Sequence, residues 1–151
     1  MEYSAFEGYM REALALAREA ATHGEVPVGA VLVGPDGVIL GRGRNRREEL
    51  ADATAHAEVE AIREACRVRG SWRLEDCTLF VTLEPCPMCA GAIILSRIPC
   101  LVFGAREPQT GSVGSVIDLF QERYRHEPKV YAGICEDECA GVLRDFFADK
   151  R

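Results

Sequence analysis

The sequence has no apolar run near the roughly 18–20 residues that a membrane-spanning helix needs, so no membrane association is expected. It also lacks a basic opening followed by an apolar stretch: Met1-Glu2-Tyr3-Ser4 does not read as a secretory signal. Repeats, low-complexity tracts and Pro/Gly/Ser linkers are absent too, so residues 1–151 are expected to form one domain. An even cysteine set is missing. Seven thiols without an export signal argue against a disulfide framework and for reduced cysteines in a cytoplasmic protein. Basic charge is in the minority, eighteen residues against twenty-four acidic ones for a net charge of −6. That excludes a general, sequence-blind nucleic-acid binder, which is basic over its whole domain, but leaves room for a local basic patch.

What is present is a regular alternation of elements. Ser4-x-x-Glu7 has the form of a capping box, and Phe6, Tyr9, Met10, Ala13, Leu14 and Ala17 recur at helical spacing. A first helix is therefore expected from Ser4 to about His23-Gly24. Strands are expected at Gly29–Val33 and Val38–Gly43, joined by the turn Pro35-Asp36-Gly37. A helix from about Thr54 to Arg69 should bury Val59, Ile62, Ala65 and Cys66. A strand at Thr78–Thr82 and a helix at Met88–Ser96, entered through Pro87, should follow. Next come a strand at Leu101–Phe103 closed by Gly104 and a short helix at Asp118–Arg123. The chain finishes with a strand at Lys129–Tyr131 and a helix at Glu136–Phe147. A hairpin followed by alternating helices and strands predicts a three-layer α/β domain with a mixed sheet.

Two stretches carry chemistry. Thr54-Ala55-His56-Ala57-Glu58 opens the second predicted helix, and Glu84-Pro85-Cys86-Pro87-Met88-Cys89 sits at a strand-to-helix junction. Cys86 and Cys89, three apart, face the same way on a first helical turn, where the positive helix end favours thiolates. With His56 they form the donor set of a catalytic zinc, one per chain, that keeps its fourth position for water. Glu58 lies two residues beyond His56, off the same helix face. It fits a proton shuttle between that water and the substrate rather than a ligand.

Taken singly, these pieces are ordinary. A lone C-x-x-C can be half a structural zinc site, although no second pair here has suitable spacing. Cys135 and Cys139, four apart, read as core-facing thiols, and His23 and His126 as solvated or capping residues. The specific signal is H-x-E followed 27 positions later by P-C-x-x-C, each at a helix start. Arg42, Arg44, Arg46 and Arg47 fall within six positions, beside Glu48, Glu49 and Asp52. They read either as a solvated charged loop or as a basic patch beside the site.

This pattern resembles the cytidine-deaminase-like superfamily and, within it, the bacterial tRNA-specific adenosine deaminases. The resemblance runs through Glu25-Val26-Pro27-Val28-Gly29-Ala30, Asn45-Arg46, both zinc motifs, Phe103-Gly104-Ala105-Arg106, Thr110-Gly111, Gly114-Ser115 and Asp145-Phe146-Phe147. It implies a three-layer α/β/α fold around a central mixed five-stranded sheet. It implies hydrolytic deamination of adenosine to inosine at the wobble position of a tRNA anticodon stem-loop, by a homodimer. By the same resemblance His56, Cys86 and Cys89 hold zinc, Glu58 shuttles protons and Asn45 bonds the target nucleoside. Val28 and Leu83 wall the base, and Phe147 borders neighbouring nucleotides. Arg44, Arg46 and Arg47 are candidates for the RNA backbone. The chain departs from the family pattern at Glu107, one methylene longer than the usual Asp and a candidate substrate contact. It departs again at Ala148-Asp149-Lys150-Arg151, where the family often has a basic tail.

Two other readings compete. A deaminase of free bases or nucleosides, of the guanine or cytosine type, needs no RNA surface and accommodates the acidic net charge, but leaves the segment Thr110–Ser115 unexplained. A non-catalytic, zinc-stabilised RNA-binding module would have no use for Glu58.

Overall fold

The computed structural model describes residues 1–150; Arg151 lies outside them. Five strands, β1 (Gly29–Val33), β2 (Ile39–Arg44), β3 (Thr78–Leu83), β4 (Cys100–Ala105) and β5 (Lys129–Tyr131), form one sheet in the order β2-β1-β3-β4-β5. β1 is antiparallel to both its neighbours, and β3, β4 and β5 are mutually parallel. Since β2 and β3 both oppose β1, four strands run one way and β1 alone runs back. The sheet is mixed, as the pattern of elements predicts.

Helices α1 (Phe6–Thr22) and α5 (Glu136–Ala148) cover one face, and α3 (Ala57–Arg69) and α4 (Pro87–Leu95) the other. The central strands β1, β3 and β4 are buried on both sides, and their period of two deals alternate side chains to the two faces. Ala30, Leu32, Leu79, Val81, Leu101 and Phe103 meet α3 and α4. Val31, Val33, Phe80 and Val102 meet Phe6, Met10 and Leu14 of α1.

Several boundaries differ from the expected ones for identifiable reasons. Ser4 does not cap α1: residues Tyr3–Ala5 form a 3₁₀ turn, and no side chain caps the helix. That turn places the Tyr3 ring against Phe6 and Tyr131, with centroids 5.1 and 5.9 Å away. The charged segment after β2 closes into a single helical turn, α2 (Arg47–Leu50). α3 starts at Ala57 rather than near Thr54, because Asp52 Oδ1 accepts from both the Thr54 amide (2.9 Å) and its hydroxyl (2.7 Å), holding a turn there. β4 continues through Gly104, whose missing side chain leaves room for the Cys139 sulfur of α5. The expected helix at 118–123 shrinks to a 3₁₀ turn, Leu119–Gln121, capped by Asp118, which accepts from the Phe120 amide at 3.2 Å.

The buried stripe of α3 also differs. Ala57, Ala61 and Ala65 are buried, whereas Val59, Ile62 and Cys66 are half-buried. The reason lies in β2. A Cβ at Gly41 would land on the Ala61 carbonyl oxygen, and one at Gly43 on the Ala57 carbonyl oxygen. Helix and strand therefore meet backbone to backbone along a seam of glycine and alanine, which only the smallest side chains permit. Gly43→Ala should cost about 3 kcal/mol in urea unfolding, the upper end of ordinary overpacking, because helix backbone must move. A cost below about 0.5 kcal/mol would mean that the seam is not closed.

Candidate active site

The topology brings five chain segments to one end of the sheet. β2, β3 and β4 deliver their C-terminal ends there and β1 its N-terminal end, the place where open α/β sheets receive ligands. A pocket of about 140 Å³ opens at this end. Val26 and Val28 come from the approach to β1, and Asn45 and Arg47 from the exit of β2. Leu83, Glu84 and Cys86 follow from β3, and Glu107 and Thr110 lie beyond β4. His56, Ala57 and Glu58 form the start of α3.

His56 is the N-cap of α3, with extended backbone (φ −83°, ψ 153°), so helical geometry begins only at Ala57. That resolves the two-residue spacing: His56 and Glu58 need not share a helix face to meet at one site. Cys86 is likewise the N-cap of α4, Pro87 takes the first helical position and Cys89 lies in the first turn. His56 Nδ1 stands 3.6 Å from each of the Cys86 and Cys89 sulfurs. The three donor atoms lie within 4.8 Å of one another.

The electrostatics fit a bound cation. The Cys89 thiol's hydrogen bond, helped by His56, holds the Cys86 thiol down at about 4. Cys89 is pushed the other way, by its bond to Cys86 and by burial. His56 is raised by its hydrogen bond with Cys86. One thiolate thus sits between two protons, which a divalent ion would replace while satisfying all three donors. Glu58 is only 4% exposed, beside Cys89 but outside the three-donor group. Burial, reinforced by the Cys86 charge, pushes its carboxyl up to about 7. A carboxyl that holds or releases a proton near neutrality, next to an imidazole and two sulfurs suited to zinc, is equipped for hydrolytic proton transfer.

Residues 4–105 match the cytidine and deoxycytidylate deaminase zinc-binding region. The chain belongs to this deaminase family. It is 51% identical over 146 residues to the tRNA-specific adenosine deaminase of Bacillus subtilis (strain 168), covering 96% of this chain and 90% of the relative. A structure from work on A-to-I editing by tRNA:A34 deaminases at the wobble position superposes with a TM-score of 0.87. It is 47% identical, over 90% of this chain and 99% of the other. Guanine deaminase from Bacillus subtilis is 34% identical at a TM-score of 0.64, with 99% and 94% of the two chains covered. The family's cofactor is zinc, one ion per chain, and the His/Cys/Cys group has the donor types and spacing to hold it.

Around this deaminase centre the other expected residues divide. Val28 and Leu83, both half-buried, line the pocket with Asn45 and Glu107. The Asn45 amide is partly engaged: Nδ2 donates to the Val26 carbonyl and Oδ1 accepts from the Arg47 amide, each at 3.3 Å. Phe147 lies on α5 outside the pocket lining, 48% exposed. Of the arginines only Arg47 lines the pocket. Arg44 donates to Glu49 at 2.6 Å and Arg46 at 3.4 Å, and Arg42, Arg44 and Arg46 border a separate charged depression with Glu60, Glu64 and Arg67.

Two buried carboxylates that sequence reasoning gave no role stand behind the walls. Glu25 accepts from the Glu48 and Glu49 amides at 3.1 and 2.7 Å, which is why the segment after Asn45 winds into α2. Glu84 accepts from four groups beyond β4. Burial alone would raise its carboxyl, but the bonds from Ser115, Glu107 and Val113 outweigh it and hold it below the usual carboxylate range. The only sequence signal for either is a charged residue inside an otherwise apolar stretch.

Proposed function

We propose that this chain, as a single deaminase domain, converts adenosine to inosine at the wobble position of a tRNA anticodon. His56, Cys86 and Cys89 hold the zinc and Glu58 carries the protons. The observation behind this is the buried Glu58 carboxyl, set beside three metal donors at the floor of a pocket, in a chain so similar to a tRNA-specific deaminase. Zinc, when bound, supplies the Lewis acid that makes water nucleophilic near neutral pH. Glu58 takes a proton as water oxygen joins C6 of the purine and places a proton on ring N1. It then takes the remaining water proton from the new C6 hydroxyl and passes it to the exocyclic nitrogen; C6=O forms as the C6–N6 bond breaks, and ammonia leaves.

Val28 and Leu83 provide apolar walls for a base splayed out of its strand. Asn45 keeps one amide hydrogen and one oxygen lone pair for the nucleoside, its other pair being spent on Val26 and Arg47. Glu107 reaches the same nucleoside from the opposite wall. Phe147 offers its exposed ring to nucleotides beyond the pocket. The enzyme works as a homodimer, for which Val68, Trp72 and Leu95 leave large apolar side chains exposed. Seven free cysteines suit a cytoplasmic setting, and no helix among the described residues is long and apolar enough to cross a membrane.

Mass spectrometry of an anticodon stem-loop, with ammonia release followed in parallel, tests the reading. The stem-loop should gain inosine at the wobble position while free adenosine, guanine and cytosine are left intact. Turnover of free guanine alone would favour the free-base alternative, which the net charge of −6 and the likeness to guanine deaminase also support. Binding without ammonia release would make the protein a non-catalytic module. Arg47, at the pocket and free of the Glu49 pairing, should be the arginine that meets phosphate: Arg47→Gln should flatten the salt dependence of binding by about 0.7. Arg44→Gln and Arg46→Gln should change it less, since both already pair with Glu49. Equal slopes in all three variants would return the cluster to a solvated loop.

A further inference from the structure

The segment 107–115, which brings Glu107 and Thr110 to the pocket, contains no helix or strand. It is suspended from the zinc-motif junction. Oε1 of Glu84 accepts from the Glu107 amide at 3.1 Å and from the Ser115 hydroxyl. Oε2 accepts from the Val113 and Ser115 amides, each at 3.0 Å. The next residue, Pro85, accepts from the Ser112 amide at 2.8 Å through its carbonyl. Gly111 passes so close over the carboxylate that any side chain there would meet it. Glu84 is 2% exposed, and all four donors come from this one segment. A buried carboxylate with four donors from a single segment is an anchor, and this one lies two residues before a metal-site cysteine.

We propose that Glu84 is a positioning residue for substrate affinity: it hangs the 107–115 wall from the β3–α4 junction that carries Cys86, and so places Glu107 against the bound nucleoside. The inference rests on the deaminase reading only for its kinetic consequence. Its structural consequence can be measured separately, because the two oxygens face different donors. In Glu84→Gln the new NH₂ group cannot accept. Placed at the Oε2 position it would face two backbone N–H groups, Val113 and Ser115. Placed at the Oε1 position it faces one, Glu107, and can donate to the Ser115 hydroxyl, which rotates to accept. The second arrangement leaves fewer unpaired donors, so this variant should release the Glu107 amide and keep the other two.

Amide hydrogen exchange and steady-state kinetics on zinc-loaded Glu84→Gln test this together. The Glu107 amide should lose protection about tenfold or more while Val113 and Ser115 keep theirs. KM for the stem-loop should rise about tenfold with kcat within about threefold, and Glu107→Ala should add nothing further in that background. Should Glu84→Gln fold poorly, Ser115→Ala removes one bond alone and should raise KM about threefold at unchanged kcat and zinc content. Unchanged KM, additive Glu107→Ala, or undiminished protection of the Glu107 amide would each overturn the proposal. Lost Glu107 protection in a protein whose parent form turns over no stem-loop would leave the anchor standing and refute the deaminase reading instead.

Discussion

Glu58→Ala should keep its zinc and its fold and lose turnover by at least about 10²–10⁴-fold, the range of a positioned acid–base group. The loss should sit at the upper end, because in the proposed mechanism one carboxyl serves the water, the ring nitrogen and the leaving amine in turn. Neither zinc nor fold should depend on it. Glu58 stands outside the three-donor group, and α3 is located by Ala57, Ala61 and Ala65. Removing a buried carboxyl that burial drives toward its neutral form should leave thermal stability unchanged or slightly raised. Metal analysis, melting and single-turnover deamination check the three parts separately. Activity within tenfold of the parent would remove Glu58 from the proton path, and loss of zinc would make it a ligand.

Cys86→Ala and Cys89→Ala should differ from this in kind. Each should drop zinc from about one per chain toward zero, abolish turnover and lower the melting temperature. His56 and the two sulfurs belong to the starts of α3 and α4, so a bound ion would tie the two helix starts together. The stability lost should equal that lost by the parent under a strong chelator, since both remove the same cross-link. Cys66→Ala, whose half-buried thiol lies outside the cluster, should keep its metal. Full zinc occupancy in both ligand variants would overturn the assignment.

What the sequence made legible follows the range of each interaction. His56, Glu58, Cys86 and Cys89 stand at spacings of two and three residues at helix starts, which local pattern records directly. The strand at Gly29–Val33 coincides with the expected one because a continuous apolar run between turn residues leaves few alternatives, and Lys129–Tyr131 coincides as well. Glu25 and Glu84 bond to amides at least 23 positions away, and an amide has no side-chain signature. Without Glu25 in view, α2 reads as a charged loop. The pattern points to Val59, Ile62, Ala65 and Cys66 as the buried stripe of α3. Ala65 is buried, but the three bulkier residues are only half-buried, because Gly41 and Gly43 on another element admit only alanines. For the arginines, nearness to Asn45 in sequence does not carry over into space, because Glu49 draws Arg44 and Arg46 away.

The glycine–alanine seam has a consequence for thermal motion. Side chains that hold a helix onto a sheet usually bring rotamers with them, and each rotamer hop lets the helix drift. Glycine and alanine have no rotamers to exchange. The helix that carries His56 and Glu58 is therefore held at a height set by backbone contact, with no entropic slack in the layer beneath it. Most of the positional noise in this centre must then enter from the other wall, where segment 107–115 hangs on four hydrogen bonds to one carboxylate.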